Sequence, residues 1–299
     1  MTFNQRLAAA ASTVETRLQA ILAEASDSVP QRLAAAMRHA VLGGGKRFRP
    51  FLVIESARLF DVPEARAVEV AAALECIHCY SLVHDDLPAM DNDEMRRGRP
   101  TVWKEFDDWT AILAGDALLT LAFEIVARPA THPSAEVRAA LTVALAQASG
   151  RTGMVGGQAI DLEADKRGEP AVASIAHIRR LQAMKTGALI RFGAEAGALL
   201  AEASAGDLAA LRTYGDHLGF AFQIADDLLD AEGDSATVGK ATGKDAAAGK
   251  ATLVSLMGIP AARRTLGGVE AAAIAALAPF GARGDVLAEA ARFVVQRKS

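Results

Sequence analysis

Apolar residues recur at three- to four-residue spacing through 3–25, 31–42, 48–60, 64–86, 107–128, 134–150, 173–200, 206–231 and 284–297. The breaks between these stretches are rich in Gly, Pro, Asp and Ser. This period is that of an amphipathic helix, and no stretch shows the two-residue alternation of a half-buried strand. The pattern predicts an all-α chain, and because no low-complexity linker interrupts it, a single domain over residues 1–299. There is no internal repeat, although two aspartate clusters about half the chain apart suggest an old duplication of helix pairs. The longest soft segment joins Gly233-Asp234-Ser235 to the Gly- and Lys-rich run 239–250, and is expected to act as a lid.

With 299 residues, 51% of them hydrophobic, the chain can bury a substantial core. Only 5% are aromatic and alanine is abundant, which favours closely packed helices over a sheet. The net charge of -4 argues against a broad nucleic-acid footprint. No apolar run reaches membrane-spanning length without a charge, so no membrane span is expected. Arg6, Glu15 and Arg17 interrupt the N-terminal apolar residues, which excludes the uncharged core of a signal peptide. Cys76 and Cys79 flank His78 in a lone C-x-x-C. Zinc needs four ligands and no second pair exists, while the thioredoxin motif belongs to a βαβ unit. Buried free thiols in a reducing cytoplasm are the expectation.

The chemistry lies in the aspartates. Asp85, Asp86 and Asp91 end one apolar helical stretch, and Asp226, Asp227 and Asp230 end another. Carboxylates crowded beside apolar surface are costly without cations, and hard divalent ions, above all Mg²⁺, prefer oxygen ligands. Gln223, Asp226, Asp227 and Asp230 are spaced to share one helix face. In the first cluster Pro88 disrupts the helix, so Asp85 and Asp86 must end it and Asp91 must reach back from a distorted turn. The neighbouring Leu82, Val83, Leu87, Ile224, Leu228 and Leu229 argue against an idle solvated face.

Basic residues complete the pattern: Lys46, Arg47 and Arg49 in the run Gly43 to Pro50, then Arg96, Arg97 and Arg99, then Lys185-Thr186, Lys240, Lys244 and Lys250. Glycines let backbone approach a phosphate, and arginine forks grip its oxygens in pairs. The glycine-lysine run has neither the spacing nor the preceding strand of a nucleotide-binding P-loop. Glu75-x-x-His78 supplies half of a di-iron helix-bundle site, whose second motif and partner glutamates are missing. His78 stands two helical turns before Asp85 on the same face, which makes it a candidate phosphate contact. No Ser-His-Asp or Cys-His arrangement calls for a protein nucleophile.

The combination Gly44 to Pro50, Asp85-Asp86-Leu87-Pro88-Ala89-Met90-Asp91 with Arg96-Arg97-Gly98, Gly156-Gly157-Gln158-Ala159-Ile160-Asp161, Lys185-Thr186 and Phe222 to Asp230 resembles the trans-isoprenyl diphosphate synthases. It is most similar to the bacterial farnesyl diphosphate branch of that family. The likeness runs from about residue 30 to the C-terminus, with small departures at Asn92 and at Ala251-Thr252-Leu253-Val254. It implies the isoprenoid synthase fold, a bundle of long helices around a deep central cavity. It also implies a homodimer in which both Asp motifs face one another across the cavity mouth.

The resemblance assigns Asp85, Asp86, Asp91, Asp226, Asp227 and Asp230 to Mg²⁺, and Arg96, Lys185, Lys240 and Lys250 to diphosphate. Lys46, Arg49, His78 and Arg97 are assigned to isopentenyl diphosphate, and Thr186 and Gln223 to an allylic cation. The implied reaction condenses isopentenyl diphosphate head-to-tail with dimethylallyl or geranyl diphosphate, giving farnesyl diphosphate. Ser81 and Tyr80 precede Asp85 by about 6 and 7.5 Å along the helix, so Tyr80 is the first bulky obstacle to a growing chain. Geranylgeranyl synthases, terpene cyclases and non-catalytic subunits of heteromeric prenyltransferases are the alternatives. The Asp226-Asp227-x-x-Asp230 motif speaks against a cyclase, and the full set of Asp and Lys ligands speaks against an inert subunit.

Overall fold

A computed structural model describes residues 1–24, 28–170, 172–232 and 251–296. The expected lid, with Lys240, Lys244 and Lys250, lies outside the described residues. The chain forms two compact units, Met1–Val143 with Leu199–Glu202, and Ala144–Ala198 with Ala203–Ser299.

The first unit contains α1 (Phe3–Ala23), α2 (Gln31–Val41), α3 (Phe48–Arg58), α4 (Glu64–Asp85), α5 (Val102–Glu105), α6 (Asp108–Ala127) and the start of α7 (Ala135–Ser149). Local signals set the helix starts: Thr2 forms a capping box with Gln5, and the Asp107 side chain accepts from the Thr110 amide at 2.8 Å. Pro30 and Pro63 immediately precede α2 and α4. Helix α4 is the hub, packed against α6, α3, α1 and α2. Its surface is buried nearly all round, and Ala67, Ala71, Ala72 and Ala73 let neighbouring helices come close. The charges buried here are paired: Glu69 accepts from Arg17 at 2.8 Å, and Glu55 takes Arg58 at 2.5 Å.

Helix α6 is long and apolar enough to cross a membrane, yet it carries Asp116 and Glu124. Its Ala111, Ala114, Leu118, Ala122 and Ile125 are buried at helical spacing. A two-stranded antiparallel ribbon of β1 (Met95–Arg96) and β2 (Arg99–Pro100) was not expected, because strands of two residues leave no periodic signal.

The second unit contains the rest of α7, α8 (Met154–Arg167), α9 (Ile175–Gln182), a π-helical turn (Ala183–Gly187), most of α10 (Ala188–Leu200) and α11 (Ala205–Glu232). It continues with α12 (Leu253–Met257), α13 (Ile259–Ala276), a 3₁₀ turn (Ala278–Gly284) and α14 (Asp285–Gln296). Helix α11 is the axis of this unit and packs on α13, α14, α12 and the π turn. The buried Tyr214 hydroxyl of α11 donates to the Leu287 carbonyl of α14 at 2.7 Å. The expected helix 173–200 is divided into α9, the π turn and α10. Helices α8, α12 and α13 were not foreseen. Gly156, Gly157, Gly267 and Gly268 weaken the apolar contrast of α8 and α13, and α12 is too short to show a period.

Candidate active site

Helix α4 ends at Asp85 and Asp86 caps it, as Pro88 requires. The chain then folds back: the Asp91 amide donates to the Asp85 carbonyl at 2.8 Å, and the Asn92 amide, at a residue with φ of 56°, donates to Leu87 at 3.1 Å. This turn brings Asp91 against the helix end. Asp85 stays partly exposed and Asp91 is exposed, whereas Asp86 is buried. The Asp86 carboxylate accepts a fork from Arg96, with Nη2 at 2.6 Å and Nε at 2.9 and 3.0 Å. Burial raises the Asp86 carboxyl above its ordinary range, opposed by the Arg96 guanidinium.

Arg96 stands on β1, and Arg97-Gly98 makes the two-residue turn to β2 with φ of 53° and 73°. Two left-handed residues are what a type I′ hairpin demands, and Gly98 meets that demand without a Cβ penalty. The ribbon is clamped to the glycine run, because Arg97 Nη1 donates to the Gly44 carbonyl. Arg99 Nη2 lies 3.3 Å from His39 Nδ1. A pocket lined by His39, Gly43, Cys79, Asp86, Arg96 and Arg97 opens here.

The basic run divides its residues by direction. Lys46 is exposed and Arg49 partly so, but Arg47, left-handed at φ 49°, is buried. Its guanidinium donates to Glu75 at 2.5 Å, to Glu15 at 2.6 Å and to the Val41 carbonyl at 2.5 Å. Arg47 thus ties the loop before α3 to α4 and α1, a role that charge and spacing alone did not reveal. Burial, then the charges of Arg49, Arg97, Arg96 and Arg47, hold the His78 imidazole well below its usual pKa. Burial and the charges of four arginines thus favour the neutral form of His78.

Tyr80 is buried on α4 with its ring edge-on to His84 at 5.8 Å, and burial followed by Asp85 pushes its hydroxyl up to about 12. The Ser81 hydroxyl is turned to the His78 carbonyl at 2.8 Å. Cys76 and Cys79 are buried free thiols, with burial pushing Cys79 up to about 12.

In the second unit, the last two turns of α11 carry the other carboxylates. Asp226 is exposed, and Gln223 and Asp230 are partly exposed, but Asp227 is buried. The shared face expected of these four is thus divided. Lys185 and Thr186 stand in the π turn, a rare local geometry frequent at functional sites. Lys185 Nζ donates to Asp161 of α8 at 2.5 Å. One turn earlier, any Cβ at Gly157 would run into the Lys185 backbone, so only glycine lets α8 approach the π turn this closely. Gly157 and Asp161 of the Gly156 to Asp161 motif therefore seat Lys185, which explains residues that the sequence singled out without a role.

Among the described residues, no three His, Cys, Asp or Glu side chains converge as a preformed metal cage. The donors nevertheless suit Mg²⁺. The exposed and half-exposed groups of both sets are carboxylate oxygens, and Mg²⁺ binds through one or two carboxylates, waters and substrate phosphates rather than closed protein cages.

Residues 30–268 match the Polyprenyl synthetase family. The chain belongs to that family. The farnesyl diphosphate synthase of Escherichia coli strain K12 is 47% identical over 235 residues, 76% of each chain. A chloroplastic geranylgeranyl pyrophosphate synthase of Arabidopsis thaliana is 41% identical over 78% of this chain and 65% of its own. The crystal structure of an FPP/GFPP synthase from Zymomonas mobilis superposes with a TM-score of 0.88 at 43% identity, covering 98% of both chains. The fold is the all-α isoprenoid synthase fold.

Proposed function

We propose that this polyprenyl synthetase is a trans-prenyltransferase that joins isopentenyl diphosphate head-to-tail to dimethylallyl and geranyl diphosphates, with farnesyl diphosphate as its main product. The observation that carries this reading is the carboxylate turn at the end of α4, Asp85 and Asp91, beside an arginine ribbon whose Arg96 is aimed by Asp86. Carboxylates for a metal and a positioned guanidinium for phosphate oxygens are what a leaving diphosphate requires.

Asp85, Asp91, Asp226 and Asp230 supply oxygens for Mg²⁺. When bound, that ion stabilises negative charge on the diphosphate as a Lewis acid. Arg96 and Lys185 neutralise the same group as the allylic carbon-oxygen bond breaks and its electron pair leaves with the diphosphate. Thr186 and Gln223 face the allylic cation with side-chain oxygens. Lys46, Arg49, Arg97 and neutral His78 hold isopentenyl diphosphate, whose double bond forms the new carbon-carbon bond. The proton lost in the last step passes to the released diphosphate.

The family match spans both compact units, which supports their acting as one catalytic domain. A homodimer is supported by Trp109, Ile112 and Leu113, which expose an apolar strip at helical spacing on α6. Two buried thiols without a disulfide suit a reducing cytoplasm. The alternative product, geranylgeranyl diphosphate, has the plant relative in its favour, while bulky Tyr80 on α4 favours the shorter chain. Mg²⁺-dependent release of diphosphate from mixed isopentenyl and geranyl diphosphates tests the reading. No release by the pure protein would end it.

A further inference from the structure

We propose that Glu15 of α1 is a positioning residue for isopentenyl diphosphate: through the buried Arg47 it holds the loop that presents Lys46 and Arg49. This deepens the proposed function and rests on its assignment of Lys46 and Arg49 to that substrate. Glu15 precedes the residues matched to the family, so its part in the site rests on geometry alone.

The loop before α3 takes positive φ at Gly44, Gly45 and Arg47, with values of 80°, 120° and 49°. The two glycines adopt such angles without a Cβ penalty. Arg47 does not, and a side chain in that region persists only where its surroundings over-determine it. Its guanidinium supplies the constraint. Nη1 donates to Glu75 Oε1 of α4 at 2.5 Å, and Nη2 donates to Glu15 Oε2 of α1 at 2.6 Å and to the Val41 carbonyl at 2.5 Å. The Arg47 and Glu75 side chains are 1% and 2% exposed, whereas Glu15 is 28% exposed. Glu15 is therefore the acceptor that can be changed without opening the core.

The direction of Arg47 sets the direction of its neighbours. Arg47, Phe48 and Pro50 are buried, while Lys46 is exposed and Arg49 partly exposed. Helix α3 begins at Phe48, and its first turn is tied to the same residue, because the Phe51 amide donates to the Arg47 carbonyl at 3.0 Å. Loosening Arg47 lets Lys46 and Arg49 move relative to one another, and a diphosphate gripped by both then loses affinity. The allylic diphosphate is assigned to Arg96 and Lys185, which do not depend on this loop's anchor.

In Glu15→Ala, the KM for isopentenyl diphosphate rises at least about tenfold, while kcat and the KM for geranyl diphosphate stay within about twofold of wild type. Glu15→Gln keeps a carbonyl oxygen that accepts from Nη2, and stays within about threefold on all three constants. In the ligand-free protein the Phe51 amide of Glu15→Ala exchanges at least about tenfold faster than that of wild type or Glu15→Gln. That exchange decides whether Glu15 holds the loop even for a chain that transfers no prenyl group, so failure of the proposed function and failure of this inference are told apart. Unchanged Phe51 exchange in Glu15→Ala overturns the inference. Faster exchange with an unchanged KM for isopentenyl diphosphate, or with an equal rise in KM for both substrates, overturns it as well.

Discussion

His78 shows how single residues here take their properties from neighbours. Held neutral by burial and by Arg49, Arg97, Arg96 and Arg47, it has a folded-state pKa well below the usual 6.5. The stabilising effect of a neutral His78 is full above about pH 6.5 and is lost as pH falls below that value, because the unfolded chain then binds a proton that the native state refuses. Between pH 7 and pH 5 the melting temperature of the wild type should therefore fall more steeply than that of His78→Gln. Parallel slopes would show that His78 is not held neutral.

On the proposed assignment of Asp85 and Asp226 to Mg²⁺, Asp85→Ala and Asp226→Ala should each lower turnover at least about 10²-fold with the fold intact, since each would remove a ligand that acts on charge developing in the transition state. Steady-state rates at saturating Mg²⁺ check this, and near-normal turnover would refute the assignment. The acidic and basic residues were legible in the sequence because their clustering beside apolar positions is itself costly. Which way each one turns was not. Arg47 reads like Lys46 and Arg49 in the sequence, and only the left-handed backbone at φ 49° shows that it is a buried strut. Asp227 likewise reads like Asp226.

At the scale of elements, the long amphipathic helices were legible because burial against neighbours preserves the three-to-four spacing. Helix α8 was not, since Gly156 and Gly157 are small where a periodic pattern expects apolar bulk. Those glycines exist for contact with the π turn. Gly157→Ala should force α8 and Lys185 apart, costing about 1–3 kcal/mol by overpacking. Thermal unfolding should register that loss, and the KM for allylic diphosphate should rise because Lys185 is displaced from its seat beside Asp161. An alanine variant with wild-type stability and KM would show that the close approach does not matter. The β1–β2 ribbon was invisible for another reason: its stability comes from Arg97-Gly98 and the clamp on Gly44 rather than from strand periodicity.

At the scale of the whole molecule, the all-α class followed from composition and period. The division into two compact units did not, because α7 runs across the boundary without any soft linker to mark it. The exposed apolar strip on α6 also reads in sequence as core, since Trp109, Ile112 and Leu113 recur at the same helical spacing as buried residues, and it is the surface proposed for a dimer. Placing Lys at both Ile112 and Leu113 should shift the protein from dimer to monomer in sedimentation, with unit 1 still folded because neither side chain is buried. Unchanged sedimentation would remove α6 from the interface.

The central claim, chain elongation that stops at farnesyl diphosphate, is tested most directly by product length. The purified protein is incubated with isopentenyl diphosphate, Mg²⁺ and each allylic diphosphate in turn, beside its Tyr80→Ala variant. Dimethylallyl and geranyl diphosphates should both give farnesyl diphosphate, farnesyl diphosphate should be a poor acceptor, and Tyr80→Ala should extend the product to geranylgeranyl diphosphate or longer. A wild-type product of twenty carbons or more, a cyclic hydrocarbon, or no product at all would contradict the account.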